Sequence, residues 1–133
     1  MFDNKNKWPL EHWHIEISSR CPLQCPRCTR QEVPEGLINT DLSLQWFQEN
    51  FTPILPHVKK ITFCGDDGDP IYAREFLEVC EWIKEENNNC QIVTITNGSG
   101  KRTEWWQRFS RIFNQHDHIH FSIDGTHDSN TKY

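Results

Sequence analysis

Residues 14–28 read HIEISSRCPLQCPRC, a short β-like run followed at once by three closely spaced cysteines. Within HIEI, Ile15 and Ile17 fall on one side of an extended chain, which is typical of a strand with one buried face. The cysteines follow the spacing C-x3-C-x2-C, and the prolines between them disfavour a helix. This stretch therefore predicts a first strand that leads directly into a cysteine-bearing loop.

Cys21, Cys25 and Cys28 carry the thiol groups that ligate iron–sulfur clusters. Three cysteines in one loop can hold three irons of a 4Fe-4S cube and leave the fourth iron open to a small molecule. Their crowding favours cluster ligation over disulfides. A zinc site is the alternative, since Cys25 and Cys28 also form a C-x2-C pair near His12 and His14. The second ligand pair of such sites is missing from the sequence, and we interpret both histidines as ordinary strand side chains.

Strand-like and helix-like runs alternate beyond the cysteine loop. Further strands are predicted at residues 60–64 (KITFC), 91–96 (QIVTIT) and 118–123 (HIHFSI). Helices are predicted from a cap at Thr40 or Asp41 to the prolines at 53 and 56, over residues 72–86, and from a cap at Thr103 to Phe113. Short strands separated by helices pair in parallel through right-handed crossovers, so the pattern predicts an α/β fold.

Each predicted strand ends in a loop whose residues suit ligand binding. The first is the cysteine loop, and the others are GDDGDP at 65–70, TNGSG at 96–100 and Asp-Gly at 124–125. In parallel α/β folds, ligands bind at the carboxyl ends of the strands. The four loops therefore predict one site at one rim of the sheet.

The C-x3-C-x2-C loop directly after a first strand resembles the radical SAM superfamily. That resemblance implies an enzyme that holds a 4Fe-4S cluster on Cys21, Cys25 and Cys28 and binds S-adenosylmethionine at the open iron. It implies reductive cleavage of S-adenosylmethionine to a 5′-deoxyadenosyl radical, which abstracts a hydrogen atom from a substrate. It further implies a one-electron donor such as a flavodoxin or a ferredoxin. The substrate stays unknown, because the fold does not determine it.

The same resemblance implies contacts to S-adenosylmethionine from the downstream loops. The residues are Gly65, Gly68 and Asp69 for the amino group of the methionine part, Thr96 and Asn97 for the cofactor pocket, and Ser122 and Asp124 for the ribose. Alternation along the fourth strand puts Ser122 and Asp124 on one side, aimed at the interior of a barrel. Phe121 and Ile119 are then expected to pack outward against helices. Arg27 departs from the family pattern, because an aromatic residue is usual next to the third cysteine.

The length of the chain departs from the family as well. The family core is an open barrel of six strand–helix units, whereas these 133 residues contain about four strands. We interpret residues 1–133 as a single domain, the N-terminal portion of a radical SAM barrel. An unfinished parallel sheet exposes an edge, which a further domain or subunit would cover. Two alternatives stay open: a non-catalytic iron–sulfur or zinc module, and an inert truncated relative that acts through a partner.

The overall composition fits a globular protein, with 25% charged and 35% hydrophobic residues. The net charge of −5 gives no reason to expect nucleic-acid binding. No apolar run reaches the roughly 20 residues that span a membrane, and the start of the chain lacks the apolar segment of a signal peptide. These features predict a cytoplasmic protein. Cys64, Cys80 and Cys90 are predicted as small core residues, although Cys64 ends a strand close to the predicted site.

Overall fold

The computed structural model describes residues 10–130. The strands β1 (His12–Ile15), β2 (Lys60–Phe63), β3 (Gln91–Thr96) and β4 (His118–Phe121) form one parallel sheet in that order. The α-helices are α1 (Thr29–Glu32), α2 (Leu44–Phe51), α3 (Phe76–Glu86) and α4 (Thr103–Ile112), with short 3-10 turns at Pro34–Gly36, Leu55–His57 and Pro70–Tyr72. The predicted α/β class with an open parallel sheet is confirmed.

One side of the sheet packs against the helices. Ile15 pairs with Phe63, and Phe63 pairs with Thr94, so these three side chains point to the same side of the pleat. All three are buried. The helices complete this core with Phe47 and Phe51 from α2, Phe76, Val79 and Ile83 from α3, and Phe109 from α4.

The other side of the sheet, here called the open side, is polar. One register row runs His14, Thr62, Val93 and His118, and only Val93 in it is buried. His12 and His120 on the same side are also exposed. Parallel sheets are usually covered on both sides and carry near-continuous apolar runs. The open side therefore differs from an ordinary buried sheet face.

Ser43 caps the start of α2, because its hydroxyl accepts a hydrogen bond from the Trp46 amide at 3.1 Å. The predicted cap at Thr40 or Asp41 is wrong, because both residues bind the segment before the cysteines. The Thr40 carbonyl accepts the Ser19 amide at 3.0 Å. The Asp41 carboxylate accepts the Ser18 hydroxyl at 2.6 Å. The helix ends at Phe51, ahead of the proline predicted to stop it.

Several other boundaries differ from the prediction. The helix predicted from residue 72 begins at Phe76, because a 3-10 turn capped by Asp69 precedes it. The cap of α4 is Arg102 instead of Thr103. The four-residue α1 was not predicted. None of the helices within residues 10–130 combines the length and apolar character needed to cross a bilayer.

The two outer strands also differ from the prediction: β1 is shifted toward the N-terminus, and β4 is shorter. β1 begins at His12 and ends at Ile15, because Ser18 forms an antiparallel bridge with Asp41 and Ile17 accepts the Leu42 amide. The chain thus leaves β2 before the cysteine loop. β4 ends at Phe121, two residues short of the predicted end.

Candidate cluster and cofactor site

A cavity of about 310 Å³ lies at the carboxyl ends of the four strands. Every residue predicted from the sequence to bind the cluster or S-adenosylmethionine lines it: Cys21, Cys25, Cys28, Gly65, Gly68, Asp69, Thr96, Asn97, Ser122 and Asp124. The fold therefore brings residues from four separate loops to one place. Their individual roles stay predictions.

The cysteine loop presents three half-buried free thiols to this cavity. The Cys28 amide donates to the Cys25 carbonyl at 3.0 Å, which closes a tight turn between them. The Cys28 carbonyl then accepts the Gln31 amide at 2.8 Å as α1 begins. Burial raises the pKa of the Cys21 thiol, an effect that a hydrogen bond from the Leu23 backbone partly offsets.

Arg30 joins the cysteine loop to the GDDGDP loop. Its Nη1 donates to the carbonyl oxygens of Ser19 and Asp67, one from each loop. Arg20 supports the same region through its ion pair with Asp41, at 3.2 Å. Sequence reasoning missed both arginines, because nothing in their local pattern shows which carbonyl or carboxylate they reach.

Glu16 organises the GDDGDP loop from the end of β1. Its Oε1 accepts the amides of Asp67 at 2.7 Å and Gly68 at 3.1 Å. Gly68 also lies so close to the Ser18 carbonyl that a Cβ would collide with it. A Cβ on Gly65 would come within 2.7 Å of the Gly68 carbonyl oxygen, which is backbone, and within 2.7 Å of Glu16 Oε1. Both glycines are therefore required by contacts within the protein, whether or not a ligand also approaches them.

Asp69 is 5% exposed and links the GDDGDP loop to the loop after β3. Its Oδ1 accepts the Thr96 hydroxyl at 2.6 Å and the Ile71 amide at 3.2 Å, and its Oδ2 accepts the Asn97 amide at 2.7 Å. A carboxylate offers about four acceptor positions. About one position on Asp69 is thus left for a ligand in the cavity.

Asn97 connects the loop after β3 to the cysteine loop. Its Oδ1 accepts the Ser99 amide at 2.8 Å, and its Nδ2 donates to Cys21 Sγ at 3.5 Å. Gly98 and Gly100 have φ values of 72° and 73°, the left-handed conformation that favours glycine. The glycines allow the sharp turn that returns the Asn97 side chain over the cavity.

Cys64 lines the cavity and is half-buried, so its prediction as a core residue is wrong. It comes directly after β2 on the open side, where the His14 Nε2 contacts its Sγ. Burial raises the pKa of Cys64, and the nearby carboxylates of Glu16 and Asp66 raise it further. Cys80 and Cys90 are buried in the core as predicted.

Ser122 and Asp124 lie beyond the end of β4 and are exposed. The Ser122 amide donates to the Thr96 carbonyl at 2.8 Å, which extends the ladder by one bond. Ile119 packs against the core, as expected. Phe121 contacts the Trp106 ring but stays 50% exposed, so its predicted packing against helices is only partly achieved.

The donor set at the cavity fits an iron–sulfur cluster. Three thiols from one loop face a common space, and thiolates are the ligands of such clusters. Each thiol in a cluster binds a different iron, so the sulfur atoms remain apart. No three His, Cys, Asp or Glu side chains within residues 10–130 form a ready site for a single metal ion.

Residues 15–133 match the family described as 4Fe-4S single cluster domain. The chain belongs to this family. The match includes the cysteine loop and all three downstream loops, which supports the predicted 4Fe-4S cluster. This 4Fe-4S single cluster domain is also 28% identical, over 117 residues, to the tungsten-containing aldehyde ferredoxin oxidoreductase cofactor-modifying protein of Pyrococcus furiosus. The aligned region is 86% of this chain and 31% of the relative.

The fold of the 4Fe-4S single cluster domain is similar to that of BtrN. A crystal structure of BtrN in complex with AdoMet and 2-DOIA aligns with a TM-score of 0.66 at 15% identity, over 95% of this chain and 51% of BtrN. A selenomethionine structure of BtrN in an open conformation aligns with a TM-score of 0.61 at 15% identity, over 86% of this chain and 50% of BtrN. The chain thus spans about half of BtrN and about a third of the curated relative.

Proposed function

We propose that this domain is the cluster-binding part of a radical SAM enzyme. The observation that carries the proposal is the single cavity in which three thiols meet loops from the ends of all four strands. In this proposal Cys21, Cys25 and Cys28 hold a 4Fe-4S cluster, and the enzyme cleaves S-adenosylmethionine reductively to a 5′-deoxyadenosyl radical. When bound, the cluster would supply the electron for this cleavage and an iron without a cysteine ligand that can take the methionine part.

The side chains around the cavity bind and orient the methionine and ribose parts. The free acceptor position on Asp69 suits a primary ammonium, because a carboxylate and an ammonium form a strong charge-assisted hydrogen bond. The hydroxyl of Ser122 and the carboxylate of Asp124 can pair with ribose hydroxyls. Gly65, Gly68 and Thr96 line the same cavity. Arg30 and Glu16 hold the loops together so that these groups keep their relative positions.

The proposal extends to the partners of the domain. A flavodoxin or a ferredoxin is the expected one-electron donor. A further segment or a second subunit covers the free edge of β4, where Phe121 and Ile123 are 50% and 68% exposed. Residues 1–133 then form one domain, the first portion of a larger barrel that works in the cytoplasm. The relative from Pyrococcus furiosus is named as a cofactor-modifying protein, and the proposal leaves the substrate of this domain open.

Anaerobic reconstitution with iron and sulfide tests the cluster. The unaltered chain should bind about four irons, and Cys28→Ala should lose the cluster absorbance. Cys64→Ser is the matched control, because it changes a thiol of the same cavity outside the motif, and it should keep the four irons. A cluster that survives Cys28→Ala would show that the ligands are assigned wrongly.

The S-adenosylmethionine part of the proposal has its own test. Adding S-adenosylmethionine to the reduced, reconstituted protein should change the electron paramagnetic resonance spectrum of the cluster, because the ligand binds one of its irons. With excess dithionite as the reductant, the same mixture should accumulate 5′-deoxyadenosine. A full cluster with an unchanged spectrum and no 5′-deoxyadenosine would contradict the enzyme and favour the non-catalytic module.

A further inference from the structure

We infer that Asn97 sets the reduction potential of the cluster by donating an N–H···S hydrogen bond to Cys21, and that Asp69 holds it in position for this role. The inference rests on the proposed cluster at Cys21, Cys25 and Cys28. It gives Asn97 a role distinct from lining the cofactor pocket, namely tuning the sulfur of a ligand. Asn97 thereby acts through Cys21 and does not itself contact a substrate in this role.

The contact comes from a distant part of the chain. Asn97 Nδ2 lies 3.5 Å from Cys21 Sγ, a normal distance for a hydrogen bond to the large sulfur atom. Within residues 10–130, Asn97 is the residue whose side chain donates a hydrogen bond to a thiol of the C-x3-C-x2-C motif. A donor this close to Cys21 acts directly on the electron density of the sulfur.

The orientation of the Asn97 amide is fixed by its own hydrogen bonds. The Ser99 amide donates to Oδ1 at 2.8 Å, so the oxygen end faces the turn and the nitrogen end faces Cys21. The backbone of Asn97 is held independently, because its amide donates to Asp69 Oδ2 at 2.7 Å. Asp69 is in turn buried and bonded to the Thr96 hydroxyl at 2.6 Å. The donor is therefore preorganised before any cluster binds.

The direction of the effect follows from charge. Reduction adds an electron to the cluster and its thiolates, and a hydrogen-bond donor stabilises the more negative state more strongly. Hydrogen bonds to the sulfurs are one of the factors that set the potentials of iron–sulfur clusters. Loss of the Asn97 donor should thus make the cluster harder to reduce. We expect the equilibrium constant for reduction to fall about threefold to tenfold, where tenfold corresponds to ~59 mV for one electron.

Two substitutions separate the donor from the shape of the loop. Asn97→Leu removes the N–H donor while keeping an uncharged, branched side chain of similar size, and Asn97→Ala removes both the donor and the side-chain volume. Ser99→Ala is the matched control on the same turn, because the Ser99 backbone amide that orients Asn97 remains. Each protein is reconstituted anaerobically, and the potential of its cluster is measured by redox potentiometry with electron paramagnetic resonance detection.

The expected result is a lower potential in both Asn97 variants and an unchanged potential in Ser99→Ala, with about four irons bound in all of them. A merely structural role for Asn97 would change the amount of cluster without changing its potential. Potentials equal to that of the unaltered protein in both variants, with the cluster fully bound, would overturn this inference and leave the proposed function standing. Failure of the unaltered chain to bind a cluster would overturn both.

Discussion

Asp69 is the residue whose removal should cost the domain most stability among the acidic groups of the cavity. It accepts hydrogen bonds from the Thr96 hydroxyl and from the amides of Ile71 and Asn97. Asp69→Ala would leave these three donors unpaired near the protein interior, which should lower the free energy of unfolding by about 3 kcal/mol. Urea denaturation of the cluster-free chain measures the change.

The neighbouring carboxylate provides the control for Asp69. Asp66 lies in the same GDDGDP loop but is exposed. Asp66→Ala should change the free energy of unfolding by no more than about 0.5 kcal/mol, as is usual for exposed sites. Equal losses in the two variants would mean that the hydrogen bonds of Asp69 do not hold the loops together.

The two core cysteines should make the free energy of unfolding fall at alkaline pH. Burial raises the pKa of Cys90 to about 11 and that of Cys80 well above its ordinary value. In an unfolded chain these thiols ionise near pH 8.5, at about the usual cysteine pKa. The folded state keeps them neutral, so their contribution to stability is present below about pH 8.5 and is lost as pH rises toward 11.

Urea denaturation at several pH values checks this dependence. The free energy of unfolding should fall between about pH 8.5 and 11, and Cys90→Ala should show a shallower fall because one of the two thiols is gone. A fall in that variant as steep as in the unaltered chain would rule out Cys90 as a source of the dependence.

At the scale of single elements, the contact between the GDDGDP loop and the end of β1 requires a glycine at position 68. A Cβ there would run into the Ser18 carbonyl, and the backbone on both sides is held by hydrogen bonds. Gly68→Ala should therefore lower the free energy of unfolding by more than about 2 kcal/mol, through steric overlap. Thermal denaturation followed by circular dichroism measures it.

Gly36 is the matched control for this substitution. It lies in the 3-10 turn Pro34–Gly36, and a Cβ added to it would meet nothing within 4 Å. Gly36→Ala should be neutral or slightly stabilising, because alanine reduces the conformational entropy of the unfolded chain. A similar melting temperature for the two variants would contradict the proposed overlap at Gly68.

The helix α3 is tied to the turn before β4 by a buried ion pair. Lys84 and Asp117 are 8% and 1% exposed, and their charged atoms are 2.6 Å apart. Lys84→Met would leave the Asp117 carboxylate buried without its cation, at a cost of about 3 kcal/mol. Arg108 pairs with Glu78 and Glu81 but is 39% exposed, so Arg108→Met should cost less than about 1 kcal/mol. Urea denaturation should rank the variants in this order, and the reverse order would refute it.

The helices and strands could be predicted most accurately where the local sequence pattern marked both of their ends. QIVTIT predicted β3 at its observed bounds, because an apolar run lies between an asparagine run and an Asn-Gly turn. The start of α2 was wrong because Asp41, a good cap by type, binds Ser18 and Arg20 instead. Tertiary contacts of this kind have no local signal.

The site residues also could be predicted where pattern and topology were sufficient, and could not be predicted where tertiary contacts decided their places. All ten predicted residues line one cavity, because residues that follow parallel strands meet at one rim. Glu16, Arg30 and Cys64 were missed or misassigned. Each acquires its place at the cavity from a partner in another loop or strand, and the spacing of the sequence does not show those partners.

At the scale of the whole molecule, the sheet has two protected strands and two edges. β2 and β3 have neighbours on both sides, whereas β1 and β4 each have one within residues 10–130. Hydrogen exchange followed by mass spectrometry should show the slowest exchange in β2 and β3 and faster exchange in β4, whose edge amides face water. Exchange in β4 as slow as in β3 would show that something covers this edge in solution, such as a second copy of the chain.

The polar open side of the sheet has a consequence for synthesis in the cell. A parallel sheet that was apolar on both sides would aggregate with other chains through whichever side was uncovered during folding. Here the histidines and Thr62 on the uncovered side are wettable, and the apolar side is closed by helices from the same 121 described residues. The uncovered side of the sheet therefore offers little apolar surface for aggregation while residues 10–130 fold after synthesis.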